Sequence, residues 1–192
     1  MIKIINYFLQ SIIIYLFFII GRLIGLKLSR KLFSYIFSKI APFFKSKKII
    51  VKNLNIFNDK MNNSEREYII SQMWKNYGMT FIEYMFLGNF RKEDTHVIIS
   101  GNKNIQNISK ENPVIFVSGH FANFELMSME ITKKNIPLAA IYRPLNNLFL
   151  NPFMEFLRKK YVCPNQIKKG INGVRETIEY IKKKHCIALM ID

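Results

Sequence analysis

Cysteine is scarce. The chain of 192 residues has two, Cys163 and Cys186. Two cysteines so far from other thiols build no disulfide framework, and neither sits in a C-x-x-C pair that would hold a metal. Reduced, buried thiols are expected, as suits a cytoplasmic catalytic domain. Acidic residues are also few: 13 Asp and Glu against 29 Lys and Arg give a net charge of +16. Such an excess fits nucleic acid, an anionic membrane or an acidic protein, and compositional drift toward Lys, Asn and Ile would also produce it. There is no zinc-finger spacing and no basic region followed by heptads, so no nucleic-acid partner is expected. There is no G-x-S-x-G elbow, which removes Ser118 as a hydrolase nucleophile. There is no phosphate-binding P-loop, and Gly170-Ile171-Asn172-Gly173 reads as a turn and helix start, not a dinucleotide fingerprint. No cofactor or metal is called for.

Apolar residues, by contrast, are plentiful. They make up 49% of the chain, with Phe 17 and Tyr 9 against a single Trp. From Ile4 to Ile20 only Asn6, Gln10 and Ser11 interrupt an apolar run. A spanning helix needs roughly 20 mostly apolar residues, so two placements fit: across the bilayer, or along its interface as an anchor. The residues that follow, Gly21 to Lys27, contain no small-residue cleavage site, which speaks against a signal peptide. Lys27 to Lys48 is basic and aromatic, with Arg30, Lys31, Lys39, Lys45, Lys47 and Lys48 among Phe33, Tyr35, Phe37, Phe43 and Phe44. Basic residues beside an apolar segment favour the cytoplasmic side and contact with anionic lipid.

Three regions follow: a membrane anchor over 1–26, a helical basic and interfacial region over 27–95, and an α/β core over 96–192. In the second, Ser64-Glu65-Arg66-Glu67 reads as a capping box and opens a helix from about Ser64 to Leu87. Beyond it, short apolar runs alternate with helical patterns. Strands are expected at Val97–Ser100, Val114–Ser118, Leu138–Tyr142 and Ile187–Ile191. Helices are expected at Phe121–Lys134, Leu148–Lys160 and Ile171–Lys184, the last with Val174, Ile178 and Ile181 in line. Alternation of this kind predicts an α/β fold, a mixed, mostly parallel sheet flanked by helices. Cys186 to Asp192 reads as a buried strand reaching its polar end, an odd place for a core to stop, which suggests a truncated chain.

The segment that carries chemistry is Pro113 to Glu125. A buried strand ends at Ser118-Gly119 and His120 follows at its C-terminal edge, where ligands of open α/β sheets bind. Glu125 lies about one turn into the next helix. From there its carboxylate can fold back to the imidazole, fix its tautomer and support the imidazolium formed in proton transfer. That company makes His120 a candidate general base; His96 and His185 lack it and read as structural.

Ser118-Gly119-His120-Phe121-Ala122-Asn123-Phe124-Glu125 resembles the His-x4-acid motif of the lysophospholipid acyltransferases, and in detail that of the lipid A biosynthesis (lauroyl and myristoyl) acyltransferases. Other blocks agree in order: Asn53-Leu54, Ser64 to Glu67, Asn76-Tyr77-Gly78 with Glu83, Tyr142-Arg143-Pro144-Leu145-Asn146-Asn147, Arg158, and Ala188 to Asp192. The family often has Gly and Trp where this chain has Ala122 and Phe124. It usually has a Gly shortly after the helical arginine, where this chain has Tyr161 and Val162.

The resemblance implies a membrane-bound enzyme of the bacterial inner membrane with its catalytic part facing the cytoplasm. It implies transfer of an acyl chain from acyl carrier protein to a hydroxyl of a lipid A precursor. His120 would be the base and Glu125 its support. Arg143, Arg158, Asn123 and Asp192 would bind substrate or steady charge. Acyl carrier protein, lipid A precursors and the membrane face are all acidic, which gives the positive charge a use. Two other readings remain: transfer to another glycolipid or phospholipid acceptor, and an inactive, truncated, membrane-associated fragment.

Overall fold

The computed structural model describes residues 2–43, 46–101, 105, 108 and 112–191. The calls on Phe44, Lys45 and Asp192 therefore lie outside the described residues. The chain divides into two compact units, one formed by Met1–Tyr15 with Leu87–Asp192 and the other by Leu16–Phe86.

Helix α1 spans Ile2–Ile24, 23 residues, and begins in the first unit and ends in the second. At about 1.5 Å per residue it is about 34 Å long, enough for a hydrocarbon core of about 30 Å. It is the one helix among the described residues both long and apolar enough to cross a membrane.

In the second unit, α1 ends where Gly25 adopts φ 78, and α2 (Leu26–Ile40) starts at once. Only glycine takes that backbone geometry without strain. Ser29 Oγ, buried, donates to the Gly21 carbonyl at 2.7 Å across the bend. Helices α3 (Lys47–Phe57) and α4 (Asn63–Glu83) follow. The close crossing of α2 and α4 depends on Gly78: a Cβ there would lie 2.2 Å from the Phe33 carbonyl oxygen. Phe81 packs its ring on those of Phe18, Phe33 and Phe37. Arg30 and Glu83 pair at 2.7 Å. Gly78 and Glu83, drawn out of the sequence with a family block, thus serve packing. The capping box is real but starts two residues earlier than expected. Asn62 accepts from the Glu65 backbone N–H at 2.9 Å and Glu65 accepts from that of Asn62 at 3.2 Å, while Ser64 donates to the Asn62 side chain.

The expected helix to Leu87 stops at Glu83, passes through a 3₁₀ turn (Tyr84–Phe86) and resumes in the first unit as α5 (Leu87–Lys92). Val97–Ser100, expected as a strand, is irregular. The sheet is built from β1 (Ile115–Ser118), β2 (Leu138–Tyr142), β3 (Asn165–Lys168) and β4 (Cys186–Met190), in the order β1-β4-β2-β3. Every pairing is parallel. The helices between the strands are α6 (Glu125–Lys133), α7 (Asn151–Leu157) and α8 (Ile171–Lys182).

The α/β class holds. β1 runs past β4's position to β2, and β3 returns to β4, so the chain reverses direction within the sheet. With right-handed crossovers, α6 and α8 pave opposite faces. On one face Ala139, Ile167 and Ile187 form a buried cluster with Ile141 and Tyr180. On that side lies α8, which covers nearly all of the expected Ile171–Lys184 helix. Val174, Ile178 and Ile181 are largely exposed, and the helix meets the sheet through Tyr180 and Gly173. A Cβ at Gly173 would lie 2.1 Å from the Lys168 carbonyl oxygen, so the close approach selects glycine. Both cysteines are free and buried, and burial pushes the Cys163 thiol up to about 11.

Candidate functional site

The switch in strand order leaves a crevice at the C-terminal strand ends, the usual ligand position in open α/β sheets. A cavity of about 380 Å³ lies there, lined among others by His120, Glu125, Tyr142, Arg143, Arg158 and Lys169. Of the residues singled out in sequence, His120, Glu125, Arg143 and Arg158 line this cavity together, although they come from different strand ends and helices.

His120 follows β1 directly and is exposed. A tight turn sets it: the Phe121 N–H donates to the Gly119 carbonyl at 2.9 Å. Ala122 then takes φ 44, in the left-handed region that favours glycine. That conformation accounts for the glycine common there in the resembling family. The Phe124 ring packs edge-on against the imidazole, centroids 4.5 Å apart and planes at 75°. An aromatic residue at this position therefore serves as a wall for the histidine. Asn123, expected at the site, is buried in this turn, and its carbonyl accepts from the Leu126 N–H at 3.1 Å.

Glu125 opens α6, where the helix dipole favours a carboxylate. Its Oε1 accepts from Arg158 Nε at 2.7 Å, and both side chains are buried. The pair is charge-assisted, and its burial makes the loss of either partner costly, because the other charge is left uncompensated. Arg158 begins a π-helical turn, Arg158–Val162, that continues α7. The turn closes with the Cys163 N–H on the Arg158 carbonyl at 3.0 Å. Such wide turns leave carbonyls to be satisfied from outside. Here Arg91 Nη1 donates to the Tyr161 carbonyl at 3.2 Å, and Thr132 Oγ1 donates to that of Val162 at 2.8 Å. Arg91 also donates to Thr132 Oγ1 at 2.9 Å. Tyr161 fills the space over Gly88, where a Cβ would meet its ring at 3.0 Å. The departure at Tyr161-Val162 is thus a wide turn, and Arg91 and Thr132 hold it.

Tyr142 ends β2, and the Arg158 guanidinium carbon lies 5.5 Å from its ring centroid. The Tyr142 hydroxyl donates to Glu155 Oε1 at 2.6 Å. Burial, and next the bond to Glu155, raises the Tyr142 pKa; the same bond is the leading cause that lowers that of Glu155. Glu155 escaped the sequence reading because nothing local marks it: its partners come from β2, β3 and its own helix. Arg143 and Lys169 are exposed on the cavity wall. Asn147, the last residue of the Tyr142–Asn147 block, is structural. Its Oδ1 accepts from the Phe149 and Leu150 N–H groups at 3.0 and 3.2 Å, and its Nδ2 donates to the Tyr7 carbonyl at 2.8 Å. Among the described residues no group of His, Cys, Asp and Glu could hold a metal ion.

The family model of the bacterial lipid A biosynthesis acyltransferases matches residues 2–192. No curated protein and no solved structure matches the chain.

Proposed function

Because the chain belongs to the bacterial lipid A biosynthesis acyltransferase family, an enzyme family of acyl transfer, we propose that His120 is the general base of that transfer. It takes the proton from an acceptor hydroxyl as the oxygen attacks the carbonyl of an acyl thioester; the acyl–sulfur bond breaks and the thiolate leaves. The donor is acyl carrier protein, and the acceptor is a hydroxyl of a lipid A precursor. The observation that carries this reading is the single cavity shared by His120, Glu125, Arg143 and Arg158.

Each residue then has a task. Glu125 supplies the negative charge that favours the imidazolium form of His120 during transfer. Arg158 is paired with Glu125 at 2.7 Å and holds that carboxylate in place. Arg143, exposed beside Lys169, is better placed to receive an acceptor phosphate or to steady charge at the carbonyl. Asp192 belongs to the site by resemblance. α1 inserts in the inner membrane, and the catalytic part faces the cytoplasm. Lys47, Lys48 and Lys52 on α3, beside exposed Ile49, Ile56 and Phe57, suit an anionic lipid surface.

The test is acyl transfer in membranes carrying the chain, with acyl carrier protein thioester or acyl-coenzyme A as donor and a lipid A precursor or a lysophospholipid as acceptor. Transfer from the carrier protein to the lipid A precursor is expected. Transfer to the lysophospholipid alone would contradict the acceptor assignment, and use of coenzyme A alone would contradict the donor.

A further inference from the structure

Glu155 receives three donors on one oxygen. Besides the Tyr142 hydroxyl at 2.6 Å, Oε1 accepts from Asn151 Nδ2 at 2.8 Å and pairs with Lys168 Nζ at 3.2 Å. The three donors stand on different elements: the end of β2, the start of α7 and the end of β3. Asn151 passes the connection on, since its Oδ1 accepts from the Leu145 N–H at 2.8 Å. One carboxylate thus ties both ends of the segment that carries Arg143. It also holds the hydroxyl of the ring on which the Arg158 guanidinium rests.

We infer that Glu155 is a positioning residue for the acyl-transfer site: by binding the Tyr142 hydroxyl it fixes the aromatic face under Arg158, and through Arg158 it fixes Glu125. This rests on the reading that Glu125 supports His120. Three features argue that the arrangement is more than a surface bond. Glu155 is mostly shielded, with 17% side-chain exposure. Its bond to Tyr142 is the shortest of the three. The Arg158 guanidinium is bonded through Nε to the Glu125 carboxylate and lies over the Tyr142 ring, so both contacts constrain its direction. Releasing the ring lets the guanidinium tilt, and a misplacement on the order of 1 Å at such a site costs up to about a hundredfold in rate.

The experiment uses the full chain in detergent micelles, with Glu155→Ala, Glu155→Gln and Tyr142→Phe. Two readouts are taken. The first is the Arg158 Nε–H resonance, assigned by its loss in Arg158→Lys. It is expected to be sharp and slow to exchange in the parent and broadened in Glu155→Ala and Tyr142→Phe. The second is acyl transfer: kcat is expected to fall about ten- to a hundredfold in both, with the donor KM unchanged. Glu155→Gln, which can still accept from Tyr142, is expected to recover most of the rate. An unchanged Arg158 resonance in the folded variants overturns the inference, and so does full turnover in them. If Glu155→Ala does not fold, Tyr142→Phe, which removes one hydroxyl, decides the matter. A parent that transfers no acyl chain contradicts the proposed function instead, and the resonance still decides the positioning.

Discussion

Arg158 Nε donates to Glu125 Oε1 at 2.7 Å across 33 positions of sequence, and neither side chain is more than a tenth exposed. The arginine faces the very carboxylate that the sequence assigns to the histidine. Breaking a buried pair leaves an uncompensated charge, which costs about 3–5 kcal/mol, whereas replacing both partners by apolar groups is often neutral. Glu125→Ala should therefore lower the denaturant midpoint sharply, and Glu125→Leu with Arg158→Met should restore most of it. Glu125→Gln removes the charge as well but keeps an oxygen that can accept from Arg158 Nε, so it disturbs the site less than Glu125→Ala.

The wide turn after Arg158 makes a second prediction. Arg91 and Thr132 satisfy its carbonyls from outside. A hydrogen bond from a charged donor contributes about 1.5–3 kcal/mol. Arg91→Ala should lose about that much in equilibrium unfolding, and acyl transfer should fall beyond the loss of folded protein, because the turn carries Arg158.

Ala122 supplies a third. A non-glycine residue at φ 44 pays about 1–2 kcal/mol in the left-handed region, whereas glycine pays about 0.5–1 kcal/mol in chain entropy. Ala122→Gly should leave stability unchanged or raise it by up to about 1.5 kcal/mol in thermal unfolding, with transfer retained. A loss of more than about 1 kcal/mol would contradict the strain.

How far the sequence reached depends on how local each signal was. β2 was legible to the residue, because Leu138–Tyr142 is a buried apolar run in mid-sheet. β3 escaped because Asn165–Lys168 is polar and buries only Ile167. The stripe on α8 marked the helix, but not the side that meets the sheet, which is reached through Tyr180 and Gly173. At the site, His120 and Glu125 share one short motif and could be read directly. Arg91, Thr132 and Glu155 act through partners from other elements, and no spacing reveals them.

A fourth prediction concerns pH. The bond from Tyr142, followed by those from Asn151 and Lys168, holds the Glu155 carboxyl below its ordinary value. A carboxyl lowered on folding contributes stability that is complete above its unfolded value, about 4.3. That stability is lost as pH falls from there through the native value. Thermal stability of the parent should thus decline in that acid window more steeply than that of Glu155→Gln. Parallel curves for the two would contradict the assignment.

The central claim is that His120 is the base. The most direct measurement is the turnover of His120→Ala beside the parent, with acyl carrier protein thioester and a lipid A precursor, at matched folded protein. General-base help is typically about 10²–10⁴-fold. The account predicts a loss of at least about a hundredfold with unfolding temperature preserved, since His120 is exposed. Turnover within a few-fold of the parent would contradict it.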